Sequence, residues 1–252
     1  MSLFDELRAV VEAGERAVVL TVVDGDDTGA KLLVREDGST VGSGPPELAA
    51  LAPAALRRGR SHVIRERGRT VFADVYGPPP RLLVYGAVDT ADALCRAAKL
   101  LGWTTIVADA RSRFATRERV PSADELLVAW PDETLAQVRP DSNTAVVVLT
   151  HDDKFDLPML TGALATEACY IGALGSRRNQ ERRRELLLEQ GVTEEELERI
   201  SGPCGLDVGA DTPAETALSM LAEILAVRAG REGGRLQAST QRIHAEPEPA
   251  AG

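Results

Sequence analysis

The amino-acid sequence predicts an α/β protein in which a doubly wound parallel sheet follows a small α+β domain. From Arg81 onward, short apolar runs rich in β-branched residues alternate with segments of helical periodicity, the pattern of a parallel sheet covered on both faces by helices. Before Gly77, similar runs are separated by turn residues, which is typical of hairpins. Gly77-Pro78-Pro79-Pro80 fits neither a helix interior nor a central strand, so the domain boundary is placed there.

The first domain, residues 1–77, is predicted to begin with a helix. The segment from Leu3 to Ala13 has the apolar spacing of an amphipathic helix that ends before Gly14. Asp37-Gly38 indicates the tight turn of a hairpin. The predicted strands are residues 17–23, 30–35 and 40–42, followed by a hairpin over 63–76 that turns at 67–69.

The second domain, residues 81–230, is predicted to be Rossmann-like because strands and helices alternate throughout it. Its predicted strands are residues 82–85, 104–108, 125–130, 144–150 and 169–174. Its predicted helices are residues 89–101, 132–138, 157–165, 176–190, 194–200 and 212–228. Residues 231–252 are rich in Gly, Ala, Glu and Pro and are expected to form a disordered tail, because they can bury little apolar surface to offset the entropy of ordering.

Composition argues against several classes of protein. The net charge of −10 argues against a nucleic-acid partner held by phosphate neutralisation. Three cysteines, at 95, 169 and 204, are too few and too scattered for a disulfide framework. No stretch approaches the roughly 18 apolar residues needed to span a bilayer. We therefore expect a cytoplasmic protein.

The loop after the first strand of the second domain overlays a dinucleotide-binding fingerprint in part. Gly86-Ala87-Val88-Asp89-Thr90-Ala91 keeps the first glycine and the last small residue, but Val88 replaces the glycine that lets the backbone approach a pyrophosphate. Asp89 is expected to cap the next helix and to compete with a phosphate for its N–H groups. Asp109, at the end of the second strand, has the position of an acid that binds ribose. The alternative is a scaffold whose loop only turns.

Polar clusters follow two later strands, at the edge where open α/β sheets bind ligands. One cluster is Thr150-His151-Asp152-Asp153; alternatively, Asp152 or Asp153 only caps the following helix and His151 only bonds a carbonyl. The other is Gly175-Ser176-Arg177-Arg178, where arginines face the positive end of a helix dipole and predict a cradle for phosphate or pyrophosphate. The alternative is that these arginines pair with surface acids, while Arg182, Arg183 and Arg184 form a solvated face.

A third candidate is the glycine-rich segment before the last helix. Gly205 and Gly209 tolerate positive φ, which would let the backbone approach a ligand or another segment closely. Residues 212–215 form a capping box with proline at the first helical position, which is a sufficient structural explanation for them. Cys204 is either a thiolate ligand or sulfur carrier, or a small buried hydrophobe.

Several blocks of the sequence, in the same order along the chain, match those of one known family. They are Gly29-Ala30-Lys31-Leu32-Leu33-Val34, Asp37-Gly38-Ser39 with Gly42-Ser43, Phe114-Ala115-Thr116 with Glu118-Arg119, Thr150-His151-Asp152, Tyr170-Ile171-Gly172-Ala173-Leu174-Gly175-Ser176-Arg177-Arg178, Gly202-Pro203 with Gly205-Leu206-Asp207-Val208-Gly209-Ala210, and Thr212-Pro213-Ala214-Glu215. Together they cover most of the chain, which resembles the XdhC/CoxI family of molybdenum-cofactor maturation factors.

The resemblance implies a protein that binds molybdenum cofactor (molybdopterin), assists its sulfuration and delivers it to a xanthine dehydrogenase-like molybdenum hydroxylase. It also implies a homodimer, a cysteine desulfurase as a further partner, and chaperoning rather than turnover, so no catalytic residue is assigned. The sequence departs from the family at Gly44-Pro45-Pro46-Glu47, where members commonly carry Gly-Gly-Cys, and at Gly86-Ala87-Val88-Asp89, where they commonly carry Gly-Ala-Gly-His. The alternatives are an NAD(P)-binding oxidoreductase and a divergent regulatory paralogue that has lost cofactor binding.

The residues together give one candidate cofactor site and no assigned metal ligand beyond the alternative for Cys204. The candidate cofactor-binding residues are Gly86, Asp109, Thr150, His151, Asp152, Gly172, Gly175, Ser176, Arg177, Arg178, Gly205, Leu206, Asp207 and Gly209.

Overall fold

The computed structural model describes residues 2–240 and divides the chain into two compact units. Among the described residues, one unit comprises residues 2–78 together with 234–240, and the other is Pro79–Gly233. Of the predicted tail, residues 241–252 lie outside the described residues, and Leu236–Ala238 form a 3-10 helix. None of the helices within residues 2–240 combines the length and apolar character needed to cross a membrane.

The first unit is an antiparallel five-stranded sheet with helices on both faces. Its order is β3-β2-β1-β5-β4, so the hairpins predicted from the turn residues are confirmed. Its elements are helix α1 (Leu3–Glu12), strands β1 (Ala17–Asp24), β2 (Lys31–Arg35) and β3 (Thr40–Gly42), a 3-10 helix (Pro46–Leu51), helix α2 (Ala52–Arg58), and strands β4 (His62–Glu66) and β5 (Arg69–Tyr76).

The sequence did not predict the helical segment from Pro46 to Arg58. Leu48, Ala55 and Leu56 from this segment are buried against one face of the sheet. Two prolines in a short alanine-rich stretch suggest a break in structure, but each lies in the first turn of its helix, where a missing N–H costs nothing.

The second unit is a six-stranded parallel sheet in the order β11-β10-β9-β6-β7-β8, which confirms the predicted doubly wound α/β fold. Two apolar clusters fill its faces, as expected for a sheet covered by helices on both sides. Its elements are β6 (Arg81–Tyr85), α3 (Asp89–Lys99), β7 (Thr104–Ala108), β8 (Glu125–Leu127), α4 (Pro131–Val138), β9 (Thr144–Val148), α5 (Asp153–Leu164), β10 (Tyr170–Ala173), α6 (Arg177–Glu189), α7 (Glu194–Leu197), β11 (Ile200–Ser201) and α8 (Pro213–Arg228).

Ile200 was predicted to end a helix and instead lies in the edge strand. Helix α7 stops at Leu197, and Ile200 pairs with Ile171 of β10. A strand of two residues is too short to show an alternating pattern in the sequence. The preceding glutamates favour a helix, but pairing with β10 places Ile200 in the sheet.

Candidate ligand-binding site

The carboxyl ends of the parallel strands bring several predicted residues to one edge of the sheet. Tyr85 at the end of β6 lies opposite Ala108 of β7 and Val148 of β9, and Val148 lies opposite Ala173 of β10. The residues that follow, from Gly86, Asp109, Thr150 and Gly175 onward, therefore share that edge. The chain order reverses between β6 and β9, and such a switch point opens the crevice in which α/β sheets bind ligands.

Gly86 is required by the approach of the neighbouring strand end. It has φ +116°, and a Cβ there would lie 2.9 Å from Thr150 Cγ2 and 3.1 Å from the Thr150 backbone nitrogen. Asp89 was expected to cap α3, but the N-cap is Val88, which has no side-chain cap. The Asp89 side chain is 83% exposed at the first helical position, so its negative charge faces any anion that approaches this helix end.

Asp109 is buried and directed inward. Its Oδ1 accepts from the backbone N–H and Nε of Arg111 at 2.9 and 2.8 Å, and its Oδ2 accepts from Arg111 Nη2 and the Ala87 backbone N–H at 2.8 and 3.0 Å. Burial acts to raise the pKa of Asp109, but these hydrogen bonds outweigh it and leave that pKa below its usual value. The carboxylate is thus an acceptor for four protein donors and ties the first glycine loop to the loop after β7.

Thr150 belongs to a buried polar network that the sequence did not reveal. Its hydroxyl donates to Asp156, and Arg183 Nη2 lies 2.6 Å from the other oxygen of Asp156. The Asp156 and Arg183 side chains are 1% and 5% exposed. Burial raises the pKa of Asp156, while the Thr150 hydroxyl and the Arg183 charge oppose that rise.

The burial of Arg183 contradicts the alternative in which it belongs to a solvated face. Its guanidinium also donates to Gln180 Oε1 at 2.6 Å and to the Leu174 carbonyl at 3.3 Å, which joins α6 to the end of β10. A signal for this was present in the sequence, because Arg183 stands four residues before the buried Leu187 on the same face of α6.

His151 and Asp152 both lie exposed at the edge. Asp152 is the N-cap of α5, accepting from the Lys154 backbone N–H at 3.1 Å, so the structural alternative for this residue is observed. This hydrogen bond uses Oδ1 of Asp152, so its Oδ2 can accept from solvent or a ligand.

The N-terminus of α6 carries two exposed arginines. Ser176 caps the helix by accepting from the Asn179 backbone N–H at 3.3 Å. Arg177 and Arg178 make no ion pair within residues 2–240. By contrast, two later arginines of α6 form ion pairs with neighbouring helices: Arg182 pairs with Asp153 of α5, and Arg184 pairs with Glu194 of α7. Pairing with surface acids, the alternative for Arg177 and Arg178, is therefore not observed within residues 2–240, whereas Arg182 and Arg184, which that alternative left solvated, do form such pairs.

A cleft of about 410 Å³ begins beside Arg177. Leu187, Leu197 and Ile200 give it apolar walls, and Gly202 lies along its rim. The buried Arg183 also lines the cleft, and its Nε has no hydrogen-bond partner within residues 2–240. A Cβ on Gly202 would lie 2.6 Å from Gln180 Oε1, the end of a flexible side chain, so a substitution there would displace the Gln180 amide.

Gly172 and Gly205 are used in internal packing. A Cβ on Gly172 would lie 2.6 Å from Tyr170 Cε1, and one on Gly205, at φ +114°, would lie 2.6 Å from Ser219 Oγ. The Tyr170 hydroxyl donates to Glu223, which also accepts from the Gly205 backbone N–H at 2.8 Å. These two glycines therefore fix α8 against β10.

The segment from Leu206 to Gly209 leads away from this packed region. Leu206 is half-buried and bonded through its backbone to Ser219, whereas Asp207 and Gly209 are exposed. Gly209 has φ +70° and open space around it.

Cys204 is 8% exposed, and burial followed by the charge of Glu223 raises the pKa of its thiol to about 12. A protonated, buried thiol is a poor metal ligand. Within residues 2–240, no group of three His, Cys, Asp or Glu side chains is arranged to hold a metal ion.

The sheet order, the switch point and the glycine turn after its first strand define this unit as a Rossmann domain. Residues 82–224 match the family model of the XdhC Rossmann domain, and the chain belongs to the XdhC family.

Three curated relatives match the chain. It is 30% identical over 261 residues to the uncharacterized protein YqeB of Escherichia coli (strain K12), covering 93% of this chain and 48% of YqeB. It is 32% identical over 158 residues to a probable xanthine dehydrogenase subunit of Bacillus subtilis (strain 168), covering 63% of this chain and 46% of that protein. It is 32% identical over 157 residues to the molybdenum cofactor insertion chaperone PaoD of Escherichia coli (strain K12), covering 62% of this chain and 43% of PaoD. The chain thus spans about half the length of the curated relatives it matches.

A solved structure described as a xanthine dehydrogenase from Bacillus halodurans superposes with a TM-score of 0.64 at 24% identity, covering 90% of this chain and 66% of that one. At this identity the likeness supports the fold.

Proposed function

We propose that the protein is a maturation factor that binds molybdenum cofactor, assists its sulfuration and inserts it into a xanthine dehydrogenase-type molybdenum hydroxylase. Family membership supports this role, as do two relatives named as a molybdenum cofactor insertion chaperone and a probable xanthine dehydrogenase subunit. In this proposal the protein acts in the cytoplasm as a CoxI-like homodimer with domains at 1–77 and 81–230, and a cysteine desulfurase supplies the sulfur.

The unpaired arginines at the start of α6 carry the proposal. A 13-residue helix presents partial positive charge and free N–H groups at this end, and Arg177 and Arg178 add two positive charges there. Without an anion this arrangement is unfavourable by roughly 0.3–1 kcal/mol for each charge. The phosphate of a pterin cofactor would reverse the sign of that contribution.

The residues present fit such a group. Arg177 and Arg178 make no ion pair within residues 2–240, so their guanidinium donors can form bidentate bonds to phosphate. The cleft volume of about 410 Å³ falls in the usual range for small-molecule sites, roughly 300–1,000 Å³. We place the anionic end at Ser176, Arg177 and Arg178 and the ring system in the cleft.

In this arrangement the chain binds and orients the cofactor and excludes water from its ring face. When bound, the cofactor supplies the redox chemistry of molybdenum to the recipient enzyme. Cys204 has a packing role, since its thiol is buried and protonated. The exposed His151 and the free oxygen of Asp152 line the same sheet edge and are available to the far end of the ligand.

Equilibrium binding of purified molybdenum cofactor tests the proposal. Two charge-assisted hydrogen bonds of about 1.5–3 kcal/mol each are removed in R177Q/R178Q, so its affinity should fall at least about a hundredfold. R96Q/R182Q is the matched control, because it removes the same charge at exposed arginines that already have carboxylate partners and do not line the cleft. Equal losses in both variants, or none in R177Q/R178Q, would move the site elsewhere.

Competition by NAD and NADP separates the alternative functions. The carboxylate that would hold a ribose is filled by Arg111 and Ala87, and Asp89 lies at the helix end that would hold a pyrophosphate. We therefore expect no competition by nicotinamide nucleotides. Binding of neither cofactor nor nucleotide would favour the divergent paralogue that has lost its ligand.

A further inference from the structure

The loop that follows β7 gathers three guanidinium groups around one phenyl ring. The guanidinium carbons of Arg111, Arg113 and Arg119 lie 4.3, 4.8 and 5.0 Å from the centroid of Phe114. Each contact is worth roughly 0.5–1 kcal/mol at an exposed site, so the ring holds the arginines together against their mutual repulsion. We call Arg111, Arg113, Arg119 and Phe114 the arginine cluster.

The backbone beneath the arginine cluster is held rigidly. Ala115 is 7% exposed and Val120 is fully buried, and the Val120 side chain packs into the apolar core on one face of the parallel sheet. The Phe114 backbone N–H donates to the Arg111 carbonyl at 2.8 Å, and that of Val120 donates to the Thr116 carbonyl at 3.1 Å. The guanidinium groups are therefore positioned before any ligand arrives, which lowers the entropy cost of binding.

The positive charge of the cluster is only partly compensated. Asp109 neutralises Arg111 through two side-chain hydrogen bonds. Arg119 has Asp89 at 3.8 Å, and that carboxylate is 83% exposed. Arg113 makes no ion pair within residues 2–240. Three guanidinium groups thus meet two carboxylates, one of them largely exposed, and an anion bound beside Arg113 would complete the compensation.

The arginine cluster also lies in the loop where other Rossmann domains bind the ribose of a dinucleotide. It begins directly after Asp109, where dinucleotide-binding Rossmann domains present a carboxylate to ribose hydroxyls. Here the carboxylate is filled by protein donors, and the exposed guanidinium groups of Arg113 and Arg119 stand in the loop that follows it. A free carboxylate at this position would bind a ligand hydroxyl, whereas the guanidinium groups found here would bind an anionic group of a ligand.

We propose that Arg113 and Arg119, ordered by Phe114 and Arg111, form a second anion site that takes a phosphate group. It lies past the end of β7, on the opposite side of β6 and β9 from the α6 arginines. It goes beyond the proposed function and does not depend on it, because neither Arg177 nor Arg178 contributes to it. Phosphate is the shared chemistry of a free ion and of a nucleotide.

Titration of inorganic phosphate into the full chain, followed by calorimetry at low ionic strength, tests the site. The measurement is made in the R177Q/R178Q background, so that binding at α6 does not contribute and failure of the proposed function leaves the result unaffected. Adding R113Q/R119Q should weaken phosphate binding at least about tenfold. Adding R65Q/R67Q in the first unit gives the control, because it has the same net charge and replaces exposed arginines on a hairpin.

Saturable phosphate binding that is lost only with R113Q/R119Q supports the site. Absence of saturable binding in the background variant, or equal affinity in the two four-site variants, overturns it. Adenosine 5′-monophosphate and adenosine distinguish the sources: tighter binding of the monophosphate than of phosphate indicates a nucleotide, and equal binding indicates the free ion. Because both side chains are exposed, the midpoint of thermal unfolding should be retained, and the single variant R113Q provides the same test if it is not.

Discussion

Replacing Asp156 by asparagine should destabilise the protein strongly, because it leaves the Arg183 charge buried without its partner. The two side chains are 1% and 5% exposed and joined at 2.6 Å. Breaking a buried pair by removing one partner costs about 3–5 kcal/mol. The amide can still accept from Thr150, so we expect the lower end of that range, about 3 kcal/mol, from a domain whose unfolding free energy is typically about 5–15 kcal/mol.

Urea unfolding followed by far-UV circular dichroism measures this loss. D156L/R183M should recover more than half of it, since removing both charges together removes the penalty as well as the attraction. R182Q breaks a more exposed pair between the same two helices, α5 and α6, and should cost less than about 1 kcal/mol. A loss below about 1 kcal/mol in D156N, or a double variant as unstable as the single one, would refute the reasoning that this pair is a buried structural unit.

Three further predictions address the glycine turn, the inward carboxylate and the thiols. Gly86→Ala should cost about 1–3 kcal/mol by urea unfolding, since it combines positive φ with a 2.9 Å clash, while Gly102→Ala, with positive φ and open space, should cost only about 1 kcal/mol. The lowered pKa of Asp109 means that its carboxylate stabilises the fold above the unfolded-state pKa of 3.8, and that this stabilisation is lost as the pH falls through the folded-state pKa. Asp109→Asn should therefore make the unfolding free energy depend less steeply on pH in the acid range. An unchanged pH dependence would contradict this. Iodoacetamide at pH 8 should leave the high-pKa thiol of Cys204 unmodified in the folded protein and modify it after unfolding, whereas fast labelling in the folded state would show that it is not buried.

The sequence predicted the second unit well because its strands are short apolar runs buried on both faces. Such runs are visible without any tertiary information, and their alternation with helices leaves few topologies. The misses are of a different kind. Leu48 and Leu56 belong to a segment whose prolines hid it, and Ile200 joins a strand of two residues whose pairing partner is remote in sequence. Tertiary contacts decide such elements, and local patterns do not contain them.

The sequence predicted which residues lie at the edge of the sheet, but not which of their side chains turn toward the protein interior. The position of a polar residue after a parallel strand indicates the sheet edge, and the edge holds Asp109, Thr150 and Arg177 as expected. Whether a side chain faces a ligand or the protein depends on its partners. Asp109 turns inward because Arg111 lies two residues further along the chain, and Arg183 turns inward because Asp156 lies beneath it. Neither pairing can be read from one residue type at one position.

The two sides of the switch point differ in a way that bears on ligand orientation. On the β7 side, the glycine loop has an acid at its helix end and the ribose position is filled, so the features that hold a dinucleotide in other Rossmann domains are absent from the described loop. On the β10 side, Arg177 makes no ion pair within residues 2–240 and stands at a helix end that opens into a cleft, which Glu181 also lines. A ligand with one anionic end and one ring system would therefore bind with its anionic end toward α6. A second negative charge on such a ligand would be placed near Arg113 rather than at the glycine loop.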